Sequence, residues 1–295
     1  MTGFCVPLRR FSTDKCMDVS LFIAILLLGA VLAGFLGSLT GLGGGMVVIP
    51  LLTLALGVDI RYAVGAALVS SIANSSGAAS AYIREGITNV RIGMFLEIGT
   101  TTGAVLGALI AVYTPTTVVA VLFGIMLIFS AVMSLRKHVE HDTSGQKDSP
   151  LAMALRLNGS YPTPEGTVFY KVRNVVGGYL MMTVAGITSG LLGIGSGALK
   201  VVAMDMAMKV PFKVSTTTSN FMIGVTAAAS AVVYLQRGYI DPVIAMPIVV
   251  GVLIGAFVGS KVLMRAKVRS LRILFSVVIT AVALEMIYNG ISGKL

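Results

Sequence analysis

Eight glycines of the chain recur at one fixed offset of 152 residues. Gly34, Gly41, Gly43, Gly45, Gly86, Gly99, Gly103 and Gly107 align with Gly186, Gly193, Gly195, Gly197, Gly238, Gly251, Gly255 and Gly259, with no insertion or deletion. Ala33 with Ala185, Tyr82 with Tyr234 and Ala104 with Ala256 share that register. Glycine stands where the backbone needs an unusual conformation or a neighbour comes too close for a side chain. A repeated set of glycines is therefore a repeated backbone, and the chain reads as two copies of one unit.

The solvent of those copies follows from their uncharged runs. Val19–Thr40, Tyr62–Ile83, Ile92–Tyr113, Thr117–Leu135, Val175–Leu192, Val214–Leu235, Pro242–Leu263 and Leu271–Met286 are each about long enough to cross a hydrocarbon core. Two shorter runs, Gly44–Leu56 and Gly197–Met208, occupy equivalent places in the halves. Charged residues are only 12% of the chain, against roughly 25% in soluble domains. Transmembrane strands would be short and would alternate apolar with polar residues, which these runs do not. The expected fold class is an all-α polytopic membrane protein.

Loop charge orients the halves. Thr114–Thr116 holds no Lys or Arg, whereas its counterpart carries Arg265, Lys267 and Arg269; the polar link between the halves is basic and its counterpart, the C-terminus, has only Lys294. Equivalent loops of opposite charge character are what an inverted repeat predicts, because cytoplasmic loops gather Lys and Arg. Inversion requires an odd number of crossings per half, so the short runs count as crossings, giving about ten transmembrane helices in two inverted five-helix repeats. That topology puts fifteen basic residues on the cytoplasmic face and six, including Arg9, Arg10 and Lys15, on the other. The expected organisation is a polar leader at 1–18, a first membrane repeat at 19–135, a cytoplasmic linker at 136–172 and a second membrane repeat at 173–295. The linker mixes both charge signs with Ser, Pro and Gly and shows no apolar stripe. The net charge of +10 is explained by basic loops, so no nucleic-acid partner is required. Cys5 and Cys16 form neither a metal motif nor a disulfide framework.

Candidate chemistry lies where glycines interrupt the helices. Gly99, Gly103 and Gly107, like Gly251, Gly255 and Gly259, recur every four residues and predict a packing strip on one helix face. Gly41, Gly43, Gly44 and Gly45, and Gly193, Gly195, Ser196 and Gly197, do not follow one face. At roughly 1 kcal/mol lost per glycine, such clusters unwind a helix, and exposed backbone survives in a membrane only against protein or a wet cavity. The freed amides and the start of the next short helix attract an anion. Two breaks facing each other predict a midplane anion site. Ser71 and Asn74 after the first break, and Thr218, Ser219 and Asn220 after the second, are candidate donors. Lys200 is a candidate cation for the substrate, with snorkelling or a pair with Asp205 as the alternatives; Glu97 and Asp205 are candidates to carry a coupling proton. No cofactor and no metal site are expected, because no His lies in a span, His138 and His141 both being in the linker. The expected partners are a small anionic substrate and the lipid bilayer, and the chain is not expected to be an enzyme.

Gly41-Leu-Gly-Gly-Gly45 followed by Pro50-Leu-Leu, echoed by Gly193-Ile-Gly-Ser-Gly197, resembles the sulfite exporter TauE/SafE family of membrane permeases over roughly residues 20–290. The resemblance implies secondary transport of small, often sulfur-containing anions such as sulfite, thiosulfate or sulfonates across a bacterial inner membrane. The second copy departs from the pattern: it lacks the proline and has Lys200 and Asp205 instead. Other small anions or carboxylates, and a cation permease, remain alternative substrates at this stage.

Overall fold

The computed structural model describes residues 19–40, 43–135, 149–163, 166–265 and 269–292. The polar leader, Gly41 and most of the linker's first half lie outside them. Helix α1 spans Val19–Thr40, α2 Gly45–Pro50, α3 Ile60–Arg84, α4 Val90–Tyr113 and α5 Thr116–Leu135. A short helix, α6 (Pro150–Ala154), and a hairpin of β1 (Gly159–Thr163) and β2 (Gly166–Tyr170) follow. The second half supplies α7 (Val175–Leu192), α8 (Gly197–Val202), α9 (Phe212–Gln236), α10 (Pro242–Arg265) and α11 (Arg269–Ile291). Both α2 and α8 run on into a π-helical turn, Leu51–Ala55 and Ala203–Ala207.

The offset read from the glycines carries through the backbone. Shifted by 152 residues, α2, its π-turn, α3 and α4 land on α8, its π-turn, α9 and α10, end residue on end residue. Side-chain contacts repeat as well. The Tyr82 hydroxyl donates to the Ser38 carbonyl at 3.2 Å, and Tyr234 donates to the carbonyl of Gly190, the equivalent residue, at 3.4 Å.

Packing interleaves the halves. The most extensive helix pairs are α1 with α10 and α4 with α7, so the first helix of each half lies on the fourth helix of the other. The four-residue glycine strips make this possible. A Cβ on Gly103 or Gly107 would overlap the Thr183 or Ile187 carbonyl of α7, and one on Gly255 the Val31 carbonyl of α1. The expectation of a packing strip is met in both halves.

The equivalent helices α3 and α9 cross in opposite directions. Gly65 abuts Tyr239, the Ser75 hydroxyl donates to the Asn220 carbonyl, and the Asn89 amide, just past α3, donates to Thr218 near the start of α9. The equivalent pair α5 and α11 also runs antiparallel: Gly290 touches Ala120, Gly124 touches Ile287, and Ser276 bonds to the Ala131 carbonyl. One end of the molecule therefore gathers residues 85–89, the hairpin and the start of α9. The other gathers Arg61, Tyr62, Tyr234 and Tyr239, with the Arg61 guanidinium 5.8 Å from the Tyr239 ring centre.

Among the described residues, six helices are long and apolar enough to cross a membrane, and Gly45–Ala55 and Ser276–Ile291 are shorter apolar helices. The chain is a polytopic helical membrane protein. Helix α3, with 25 residues, has the length but not the apolarity, because Ser70, Ser71, Asn74 and Ser75 are placed on it. Those side chains are buried inside the protein rather than set against lipid. The later part of the linker, from residue 149, is folded. Leu157, Tyr161, Tyr170 and Val172 join Ile92 and Leu96 of α4 in one apolar cluster. These buried residues are spread over a helix, a turn and a hairpin, and so present no period in sequence.

Candidate functional site

The two breaks meet. Gly43 sits at φ +87° and Gly193 and Gly195 at +71° and +69°, conformations that favour glycine. A Cβ at Gly45 would come within 2.9 Å of the Gly193 carbonyl oxygen, and one at Gly43 within 3.4 Å of the Ile194 carbonyl oxygen. The first-half break thus packs directly on the second-half break. A side chain at Gly195 would also strike Ile223 of α9 at 2.8 Å. Ser196, the residue before α8, holds φ +44° without being glycine. Such a conformation costs about 1–3 kcal/mol and persists where the surroundings impose it.

Around the breaks the protein buries polar side chains that it does not satisfy. Ser71 Oγ lies about where a Gly45 side chain would project, and Asn74 stands beside Gly44. Ser71 Oγ, both polar atoms of the Asn74 amide, both of the Asn220 amide and Ser196 Oγ are buried without a hydrogen-bond partner among the described residues. Each such group costs about 1–3 kcal/mol when left unmade, and buried polar groups are normally paired. Ser219 differs, donating to the Gly197 carbonyl at 3.2 Å. Thr218 also differs: it accepts the Asn89 amide at 3.1 Å, toward the α3–α4 connection, and is occupied in fixing that connection. Gly41 lies outside the described residues.

Lys200 is fully buried on α8, one turn past the second break, so it does not snorkel. Its ammonium donates to Thr226 Oγ1 at 2.5 Å, and the Thr226 hydroxyl lies 2.5 Å from Glu97 Oε1, to which it donates. Thr101 donates to the same carboxylate oxygen at 3.1 Å, while Glu97 Oε2 is buried with no hydrogen-bond partner among the described residues. Lys200 and Glu97, singled out separately in the sequence, are thus one chain through a threonine. Asp205 sits in the π-turn after α8. Sequence reasoning missed Thr226 and Thr101. A signal existed for Thr226, since subtracting the offset of 152 gives Asn74, the polar residue beside the first break.

At the end of the molecule that carries the hairpin, Asn89 ties three elements together. Its side chain caps α4 by accepting the Ile92 amide, and donates to the Leu157 carbonyl and the Tyr170 hydroxyl. Burial pushes the Tyr170 hydroxyl up to about 12, so it stays protonated against Asn89 at neutral pH.

A family model, sulfite exporter TauE/SafE, matches residues 26–286. The chain belongs to this family. Among curated relatives, it is 26% identical to the probable membrane transporter protein YunE of Bacillus subtilis (strain 168), over 92% of this chain and 98% of the relative. It is 25% identical to the probable membrane transporter protein MJ0441 of Methanocaldococcus jannaschii, over 90% of this chain and 96% of the relative. A probable membrane transporter protein of Xylella fastidiosa (strain 9a5c) is 25% identical, over 88% of this chain and 92% of the relative. No solved structure matches the chain.

Proposed function

We propose that this TauE/SafE protein is a secondary transporter that carries small anions, sulfur oxyanions or sulfonates foremost, by alternating access around the paired breaks. The observation that carries the reading is the meeting of two helix breaks beside unpartnered Ser71, Asn74, Ser196 and Asn220 and a fully buried Lys200. Hydroxyls and amides donate to an oxyanion without the cost of burying a further charge, and the lysine supplies the one full positive charge. The substrate-binding set is Gly43, Gly44, Gly45, Gly193, Gly195, Ser196, Gly197, Lys200, Ser71, Asn74, Ser219 and Asn220. Glu97 and Asp205 are the carboxylates available to carry a proton. Being named as probable membrane transporters, the relatives support a transport role over an enzymatic one.

In this reading the chain makes ten crossings in two inverted five-helix repeats, with the linker in the cytoplasm of a bacterium and the spans in its inner membrane. Support comes from the antiparallel crossing of equivalent helices α3 and α9, which a two-fold axis in the membrane plane requires. Further support comes from the π-turns: Gly29 of α1 touches Leu51, so the chain leaving the first break returns along α1. The direct test is a panel of sulfite, thiosulfate, methanesulfonate, acetate and divalent cations, by thermal shift on purified protein and counterflow in proteoliposomes. Stabilisation and counterflow with sulfur anions are expected. Stabilisation by divalent cations alone would overturn the reading.

A further inference from the structure

Three acidic or basic side chains are buried in the membrane-spanning part among the described residues: Glu97, Lys200 and Asp205. Two of them occupy places where the halves differ, since Val249 replaces the glutamate and Val48 the lysine at the equivalent positions. The fold brings those two differences together on Thr226. We propose that Glu97, Thr226 and Lys200 form a one-proton coupling switch, in which protonation of Glu97 releases Lys200 to a monovalent anion and the pair crosses without net charge. The inference rests on the transport reading above and assigns its coupling.

The geometry sets the logic. The Thr226 hydroxyl accepts from the Lys200 ammonium and has one hydrogen, for which Glu97 Oε1 at 2.5 Å is the nearer acceptor and the Met222 carbonyl at 3.0 Å the farther. The lysine charge is therefore balanced, through one atom, by the carboxylate. Oε1 already takes two hydroxyls, Thr226 and Thr101, while Oε2 takes none among the described residues. A proton from water can bond to Oε2 without breaking either hydroxyl contact. Once it has, the carboxyl is neutral and the ammonium is left unbalanced in a buried site, which an anion restores. The empty site holds one positive and one negative group; the loaded site holds the same ammonium, a neutral carboxyl and one anion. Both sum to zero, so neither form carries a penalty for net charge across the bilayer. On release at the far face the proton leaves Oε2 and the anion leaves Lys200, which restores the first state.

The ionisable side chains on the elements packed around Glu97 are Tyr179 on α7, Lys200 on α8, Asp205 on the following π-turn, and Lys213 at the exposed start and Tyr234 near the end of α9. Its own helix adds Arg91, exposed at the first turn, and Tyr113 at its last residue, and Tyr161 and Tyr170 lie in the hairpin beyond the first turn. Lys200 is joined to Glu97 through the hydrogen-bonded Thr226 side chain. Thr226 is a positioning residue, and its hydroxyl rather than its size is what the switch needs.

The experiment is methanesulfonate transport by the full chain in proteoliposomes, because that anion keeps one charge across the working pH range. Wild type is expected to show counterflow. With a one-unit pH gradient, acid outside, it is expected to accumulate methanesulfonate toward the about tenfold limit of one proton per anion, independent of an imposed membrane potential. Glu97→Gln is expected to keep counterflow and lose the gradient-driven accumulation, falling to about onefold. Thr226→Val should behave likewise, and Thr226→Ser should restore coupling. Uptake of thiosulfate, a dianion, should be slowed by an inside-negative potential. Absence of counterflow in the wild type would sink the transport reading itself. Wild-type counterflow without any response to the pH gradient, or full gradient-driven accumulation by Glu97→Gln, would overturn the switch alone.

Discussion

The two halves share a backbone and divide the chemistry. At the first break Gly43 alone among the described residues takes a left-handed conformation, and Gly44 is helical. At the second, Gly193, Gly195 and Ser196 are all left-handed. The first short helix ends in Pro50 and carries only apolar residues; the second carries Lys200 and leads to Asp205. Where the chain must pack, at the glycine strips and at Tyr82 and Tyr234, the copies agree. At the proposed binding site, they differ. A symmetric scaffold can present the same pathway to either side of a membrane, while a single substrate needs one charge rather than two.

Symmetric positions should therefore respond equally to substitution, and asymmetric ones should not. The largest effect is expected at the strips. Gly103→Val and Gly255→Val each drive a side chain into a carbonyl of the neighbouring helix and should both destabilise by about 3 kcal/mol or more. Size-exclusion profiles in detergent read this out, and a tolerated valine at either site would break the equivalence. Next comes the charge. Lys200→Met should weaken anion binding by about 2 kcal/mol, some thirtyfold in Kd, the scale of a hydrogen bond to a charged group. Val48→Met, at the equivalent place, should leave calorimetric Kd unchanged. Equal losses at both would contradict the division of labour.

Smaller effects sharpen it. Tyr82→Phe and Tyr234→Phe each remove one buried hydroxyl and its carbonyl contact, and should lower stability by a matching amount of about 1 kcal/mol. Ser196→Gly relieves a left-handed serine and should raise thermal stability by about 1 kcal/mol. The equivalent residue is already Gly44 in a helical conformation, so Gly44→Ala should not show that cost of left-handed backbone. Thermal melts of the four proteins decide the matter.

Much of this architecture was legible because glycine reports on backbone directly. The offset of 152 located α2 through α4 in α8 through α10, and the alternation of strip and break glycines separated packing from interruption. The hairpin at 159–170 was not legible. Its burial comes from a few residues meeting α4, and Val168 and Phe169 on it stay exposed, so no period of two or of 3.6 arises. At the site, Lys200 and Glu97 announced themselves as costly charges in apolar runs. Their linkage did not, because it depends on how α4, α8 and α9 cross. Thr226 is an ordinary threonine in sequence, and a helical threonine commonly bonds to its own backbone, as this one also does with the Met222 carbonyl.

The central claim is that the halves are inverted, since only then do equivalent breaks face each other across the membrane's midplane. Glu85 and Arg237 are exposed, lie 152 residues apart and sit beside the equivalent turn glycines Gly86 and Gly238. Single cysteines at these two positions, in a protein with Cys5 and Cys16 replaced by serine, can be labelled in intact cells with a membrane-impermeant maleimide. The account predicts that Arg237→Cys is labelled from outside and Glu85→Cys only after the membrane is opened. Labelling of both from the same face would contradict it.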